Sequence, residues 1–126
     1  MMTQKKKSKY NNKRTRYNDV WYDSKMEASY ASVLDCLKKA GEIKGWDRQP
    51  SYKLPCGIRW KIDFIVYRND GSYYYVEVKG LATKDYKLKL ELFKHSSKDE
   101  LIVVKSIDQK AFPPKFRILE HVNKAN

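Results

Sequence analysis

Apolar residues recur at two different periods along this chain, and the change of period marks out its elements. From Asp23 to Ala40, Tyr30, Ala31, Leu34 and Leu37 follow Glu27 at three, four, seven and ten residues. That is one stripe of an amphipathic helix, with Gly41 as its stop signal. Between Trp60 and Lys79 the period falls to two. Trp60, Ile62, Phe64 and Val66 are expected on one strand face, with Lys61, Asp63, Ile65 and Tyr67 on the other. On the next strand Tyr73, Tyr75, Glu77 and Lys79 share a face, and Tyr74, Val76 and Val78 take the reverse. Gly80-Leu81-Ala82 releases the chain, and Thr83 caps a second helix running to about His95. Leu101-Ile102-Val103-Val104 reads as a short buried strand, parallel to the hairpin after a helical crossover. Beyond it, Pro113-Pro114 excludes a helix, and Phe116, Ile118 and Leu119 are enough apolar residues to dock on the core.

The hairpin carries the first candidate chemistry. If Asn69-Asp70-Gly71 is a three-residue loop with Gly71 left-handed, Arg68 pairs with Ser72 and Asp63 falls opposite Glu77. A two-residue Asp70-Gly71 turn pairs Asp63 with Val78 instead. Opposed carboxylates destabilise a sheet, and a divalent cation compensates them. Carboxylates favour hard, oxygen-loving ions such as Mg²⁺ or Mn²⁺. Lys79, two residues after Glu77, projects from the same face, where a lysine orients a nucleophilic water or steadies developing negative charge. The plain alternative is a surface hairpin in which Lys79 pairs with Glu77 or Asp63, an interaction worth at most about 1 kcal/mol.

Glu27 is a third carboxylate, on the core-facing stripe of the first helix, where a charge needs a partner. Ser24-x-x-Glu27 equally fits a capping box. Both roles are open to a first-turn glutamate.

Helix with glutamate, strand, strand with aspartate, strand with Glu-Val-Lys, helix, strand resembles the PD-(D/E)xK phosphodiesterase superfamily, the restriction-endonuclease-like fold. The closer likeness is to the small phage-encoded endonucleases related to Holliday-junction resolvases. It covers roughly Tyr22 to Val104, including YDSKMEASYASVLDCLKKAGEIKGWDRQP, IDFIVY and YYVEVKG. Ile62 stands where the motif's name has proline. The resemblance implies an α/β fold, an αβββαβ core with a mixed central sheet flanked by helices. It implies Glu27, Asp63 and Glu77 as ligands of Mg²⁺, which Mn²⁺ would replace. The backbone carbonyl of Val78 is then a further ligand and Lys79 the catalytic lysine. It also implies a polar residue of the second helix at the site. Lys89 lies within that helix's apolar arc and either serves there or snorkels to water. Members of the group commonly act as dimers, so a homodimer is an expectation carried by the resemblance alone.

Composition narrows the partners. The chain has 126 residues, a net charge of +12 and a pI near 9.6, which suits one domain and a polyanion, above all nucleic acid. Lys5, Lys6, Lys7, Lys9, Lys13, Arg14 and Arg16 precede Tyr17 without one acid. Residues 1–20 are therefore expected to be a basic flexible arm, 21–105 the nuclease core and 106–126 an extension packed on it. Lys84, Lys87 and Lys94 share a face of the second helix and join Lys89 as candidate DNA contacts. Tyr10, Tyr17, Trp21 and Tyr22, interleaved with basic residues, are the candidate base-stacking aromatics. No apolar run spans a membrane and the lysine-rich start lacks a secretory signal's apolar segment. A cytoplasmic protein is expected, in a bacterial host if the gene is a phage's. Cys36, Cys56, His95 and His121 match no zinc spacing and read as ordinary residues. The leading expectation is a Mg²⁺-dependent endonuclease acting on branched or duplex DNA. The alternatives are a non-catalytic nucleic-acid-binding accessory or regulatory protein, and a subunit that cuts only with a partner.

Overall fold

A computed structural model describes residues 14–80 and 82–125. Lys5, Lys6, Lys7, Lys9, Lys13 and Tyr10 lie outside the described residues. The chain runs β1 (Thr15–Tyr17), β2 (Val20–Tyr22), α1 (Lys25–Lys39), β3 (Gly45–Arg48), β4 (Ser51–Lys53), β5 (Arg59–Lys61), β6 (Phe64–Tyr67), β7 (Tyr73–Val78), α2 (Lys84–Ser96), β8 (Leu101–Asp108) and β9 (Lys115–Val122). This is an α/β fold with a mixed five-stranded sheet, in the order β3-β6-β7-β8-β9. Only β7 and β8 are parallel neighbours; the other pairs of the sheet are antiparallel. α2 provides the crossover, as the sequence predicts. No helix among the described residues is long and apolar enough to cross a membrane.

The helix ends follow their caps. Ser24 Oγ accepts the Glu27 N–H at 3.1 Å, and Thr83 Oγ1 accepts the Tyr86 N–H at 3.1 Å. At the far end of α1, Gly41 takes φ +77°, the left-handed conformation that ends a helix at little cost in glycine.

The sheet buries both faces. Towards α1, Phe64, Val66, Val76, Val78, Ile102 and Val104 pack on Ala28, Tyr30, Ala31 and Leu34. Towards α2, Leu101 and Val103 pack with Leu54, Trp60, Ile62, Leu90 and Phe93. Trp60 and Ile62 thus serve the opposite core from Phe64 and Val66, which corrects the expectation of one continuous strand face. The strand breaks at Ile62-Asp63 because its partner changes. β5 pairs with β4 in a separate two-stranded sheet, whereas β6 pairs with β3. Pro50, between β3 and β4, has no N–H to continue a ladder. Its carbonyl instead accepts the Ile62 N–H at 3.1 Å, and the Gln49 N–H reaches the Asp63 carbonyl at 2.8 Å.

The start of the core differs from expectation. Thr15–Tyr17 and Val20–Tyr22 form a hairpin where an open arm is expected. Tyr22 is only 2% exposed and is not free to stack on a base, while Tyr17, half-buried, donates its hydroxyl to Asp35 at 2.5 Å. Trp21 is half exposed, under the Arg14 guanidinium. The C-terminal extension docks on the core through Phe116, as expected, and does so as a full edge strand, β9.

Phe93 is fully buried between Tyr52, Trp60 and Tyr75. Phe93→Ala is expected to cost about 3–5 kcal/mol in urea unfolding. Leu88→Ala, on the exposed side of the same helix, should cost less than about 0.5 kcal/mol.

Candidate active site

Gly71 at φ +94° closes a three-residue loop. The Arg68 N–H meets the Ser72 carbonyl at 2.8 Å and the Gly71 N–H meets that of Arg68 at 3.1 Å. The register that follows runs Tyr67↔Tyr73 to Phe64↔Val76. Asp63 lies one residue further on, opposite Glu77, so the first of the two readings of the turn holds.

The two acids replace the ladder where it stops. Asp63 Oδ2 accepts the Val78 N–H at 2.8 Å, and Glu77 Oε1 accepts the Asp63 N–H at 3.2 Å. Each carboxylate is thereby held on the backbone of the opposite strand.

α1 brings the third acid. Its first turn passes the end of β7, with Met26 Cε 3.8 Å from where a Cβ on Gly80 would stand. Burial pushes Glu27 up to about 7, helped by Asp23 and opposed by Ser24 and Arg48. Burial likewise raises Glu77 to about 8; Glu27 adds to the rise, while the Asp63 N–H and Lys89 oppose it. Asp63 is held well above the usual carboxylate range by burial, then by Glu77 and Glu27. Of the capping box only the Ser24 half is formed, Ser24 Oγ accepting the Glu27 N–H, while the Glu27 carboxyl acts on the other two acids.

Lys79 is half-buried, with its N–H on the Val104 carbonyl at 2.8 Å. It lines a cleft of about 340 Å³ with Ala82, Tyr86, Lys87, Lys94 and Glu120. Among the described residues no ion pair joins Lys79 to Glu77 or Asp63, so the plain pairing drawn from sequence is not formed. Lys89, largely covered, pairs with Asp85 at 3.1 Å and acts on Glu77 from α2. Lys84 and Lys87 are exposed. Lys94 is engaged by Glu120 at 2.6 Å and Glu91 at 3.5 Å, which removes it from the free cations of that face. Arg16 is tied to Asp19 at 2.9 Å.

Three neighbours escape a reading of the sequence. Asp23 raises both Glu27 and Asp63, and its place four residues before Glu27 is the one signal that marked it. Tyr86 is raised to about 12 by burial first and by Glu77, Glu120 and Asp63 after it. Arg48 lies over the Tyr22 ring at 4.6 Å, lowers Glu27 and has a buried Nε without a hydrogen-bond partner. Nothing local identifies Arg48, because its position depends on the pairing of β3 with β6.

By type, the donors suit a hard divalent cation: two half-buried, opposed carboxylates with a third acting on both. In the present arrangement one oxygen of Asp63 and one of Glu77 are spent on backbone N–H groups. No three His, Cys, Asp or Glu side chains among the described residues are gathered around a common point.

Raised carboxyl pKa values fix the sign of a pH effect. The folded state holds protons that the unfolded chain loses near pH 4.3. The site's contribution to stability is therefore full below that pH and is lost as pH rises through about 7 and 8. In EDTA, the melting temperature relative to Asp63→Asn/Glu77→Gln should fall between pH 5 and 8. Mg²⁺ should restore more at pH 8 than at pH 5. Parallel curves for the two proteins would show that these acids are not uncompensated.

No curated protein matches this sequence. A family model described as "Protein of unknown function (DUF1064)" matches residues 7–111, and the chain belongs to that family.

Proposed function

We propose that this protein is a Mg²⁺-dependent DNA endonuclease that hydrolyses phosphodiester bonds in branched or duplex DNA. The observation that carries the reading is the half-buried, opposed pair Asp63 and Glu77, each held on the other strand's backbone, with Lys79 two residues after Glu77, just past the end of β7. Such a pair is costly to a fold, and raised carboxyl pKa values concentrate at functional sites. The family resemblance of the sequence supports the same assignment, including the replacement of Mg²⁺ by Mn²⁺.

On this reading Asp63 and Glu77 hold the ion, the Val78 carbonyl adds a ligand, and Glu27 contributes directly or through water. The ion, when bound, acidifies water and offsets charge on the phosphate. Lys79 orients the attacking water and steadies the charge that develops on the non-bridging oxygens. Water adds to phosphorus, one P–O ester bond breaks, and the leaving sugar oxygen takes a proton. Lys89 and Tyr86 border the acids from α2 and limit the access of bulk water. Two copies of the chain would present two such sites to two strands.

Labelled four-way junction, flap, linear duplex and single-stranded DNA, each incubated with Mg²⁺, Mn²⁺ or EDTA, test this directly. Cleavage is expected with either metal and not with EDTA. It should fall at least about 100-fold in Asp63→Asn and in Lys79→Ala, with DNA binding retained. Binding without cutting on every substrate would transfer the assignment to a non-catalytic nucleic-acid-binding accessory protein.

A further inference from the structure

We infer that the β4–β5 hairpin is a docking surface for the sugar-phosphate backbone of duplex DNA, delivering the strand to Asp63. This rests on the reading of the site as a DNA nuclease and adds a surface that the basic arm and α2 do not include.

The hairpin is basic on one side only. From Arg48 to Ile62 the chain carries Arg48, Lys53, Arg59 and Lys61 and no acid. Strand alternation separates its residues. Tyr52 and Trp60 face inward, paired with each other and packed on Phe93 at ring-centroid distances of 4.9 and 5.9 Å. Lys53, Arg59 and Lys61 face outward, and all three are exposed.

Their register is unfavourable for the protein alone. Lys53 is the direct cross-strand partner of Arg59, and Lys61 follows on the same face opposite Ser51. Like charges set opposite one another weaken a β-ladder. Among the described residues none of the three has an ion pair; the Arg59 guanidinium reaches only Ser51 Oγ, at 3.5 Å. Water and salt screen exposed cations in part, and an external anion along this face would relieve the repulsion further.

Position selects the anion. Lys61 is two residues before Asp63, about 7 Å along an extended chain. Trp60 also meets Tyr86, the α2 residue beside Lys87, at 6.4 Å between rings. The hairpin thus sits against α2 and next to the acidic site in the chain, with its exposed cations on the face turned away from α2. They are held there by a packed hairpin whose tip is a tight turn, with Cys56 at φ +62° and Gly57 at φ +74°. A stiff row of point charges beside a phosphodiester-cutting centre fits a regular polyphosphate, and electrostatic contacts of this kind position a duplex without reading its sequence.

The test compares the full chain with Lys53→Gln/Arg59→Gln/Lys61→Gln and with a control of equal charge change, Lys105→Gln/Lys115→Gln/Lys124→Gln. Binding to a fluorescent 30-base-pair DNA is measured by anisotropy in EDTA from 50 to 200 mM salt. Each lost phosphate contact reduces the slope of log K against log salt by about 0.9. The hairpin variant should lose about 2 to 3 from that slope with an unchanged or higher melting temperature, and the control should lose less than 1. An unchanged slope, an equal loss in the control or no binding by the unaltered chain would overturn the inference. Cleavage by the unaltered protein in Mg²⁺ is scored separately. A protein that binds through the hairpin and never cuts would refute the nuclease and leave the docking surface standing. One that cuts, with its salt slope indifferent to the hairpin, would do the reverse.

Discussion

Asp63 and Glu77 face one another across β6 and β7, and the remaining architecture exists around that opposition. A β-ladder normally ends in water, where its last N–H groups are solvated. Here it ends inside the protein, and the last donors are taken by the two carboxylates crosswise. This satisfies the backbone, since buried N–H groups need partners, but it fixes two acids where desolvation penalises their charge. The register that brings them together is set at a loop whose third residue, eight after Asp63 and six before Glu77, must be left-handed. Gly71 meets that requirement without a Cβ penalty. α1 contributes its first turn and α2 its inner face, so the acids are enclosed by elements distant in sequence.

The break at Ile62-Asp63 lets one stretch of chain serve two cores. Up to Ile62 the apolar side chains enter the α2 layer; from Phe64 onward they enter the α1 layer. A strand that continued regularly would have kept Ile62 and Phe64 on one face, leaving the α2 layer without two of its large residues. Changing partners from β4 to β3 at this point also frees the backbone beside Asp63 for side-chain contacts instead of ladder bonds. The irregularity and the acidic site are therefore one feature of the chain, produced by Pro50 on one side and the Gly71 register on the other.

What was legible in the sequence is what local chemistry determines. Ser24 and Thr83 as caps, Gly41 as a stop and Gly71 as the loop's left-handed residue each act within a few residues, and each takes its expected role. The parallel crossover to Leu101 follows from chain connectivity. The αβββαβ order and the opposition of Asp63 and Glu77 were consequently readable. The β4–β5 hairpin was not, because Trp60 and Ile62 alternate in phase with Phe64 and periodicity does not reveal a change of partner. Tyr22 looked available because nothing nearby shows that the α1 layer claims it. Lys94 looked free because Glu120 belongs to a strand hidden behind two prolines. Each error concerns a contact between distant segments, where pattern within one element carries no information.

Burial alone does not explain the acidic site, and another acid in the same fold shows why. Glu100 is 7% exposed, and burial pushes its carboxyl up as it does the others. Yet Arg68 at 3.0 Å and His121 at 2.6 Å hold it below the usual carboxylate range. A buried acid with a structural role is thus given a guanidinium and an imidazole partner by this chain. Glu27, Asp63 and Glu77 receive mostly one another and Asp23, with Arg48 and Lys89 too few to reverse the shift. In a protein with a net charge of +12 a lack of cations is no general constraint. The imbalance is local, and on the proposed function its complement is the divalent cation that Asp63 and Glu77 would hold.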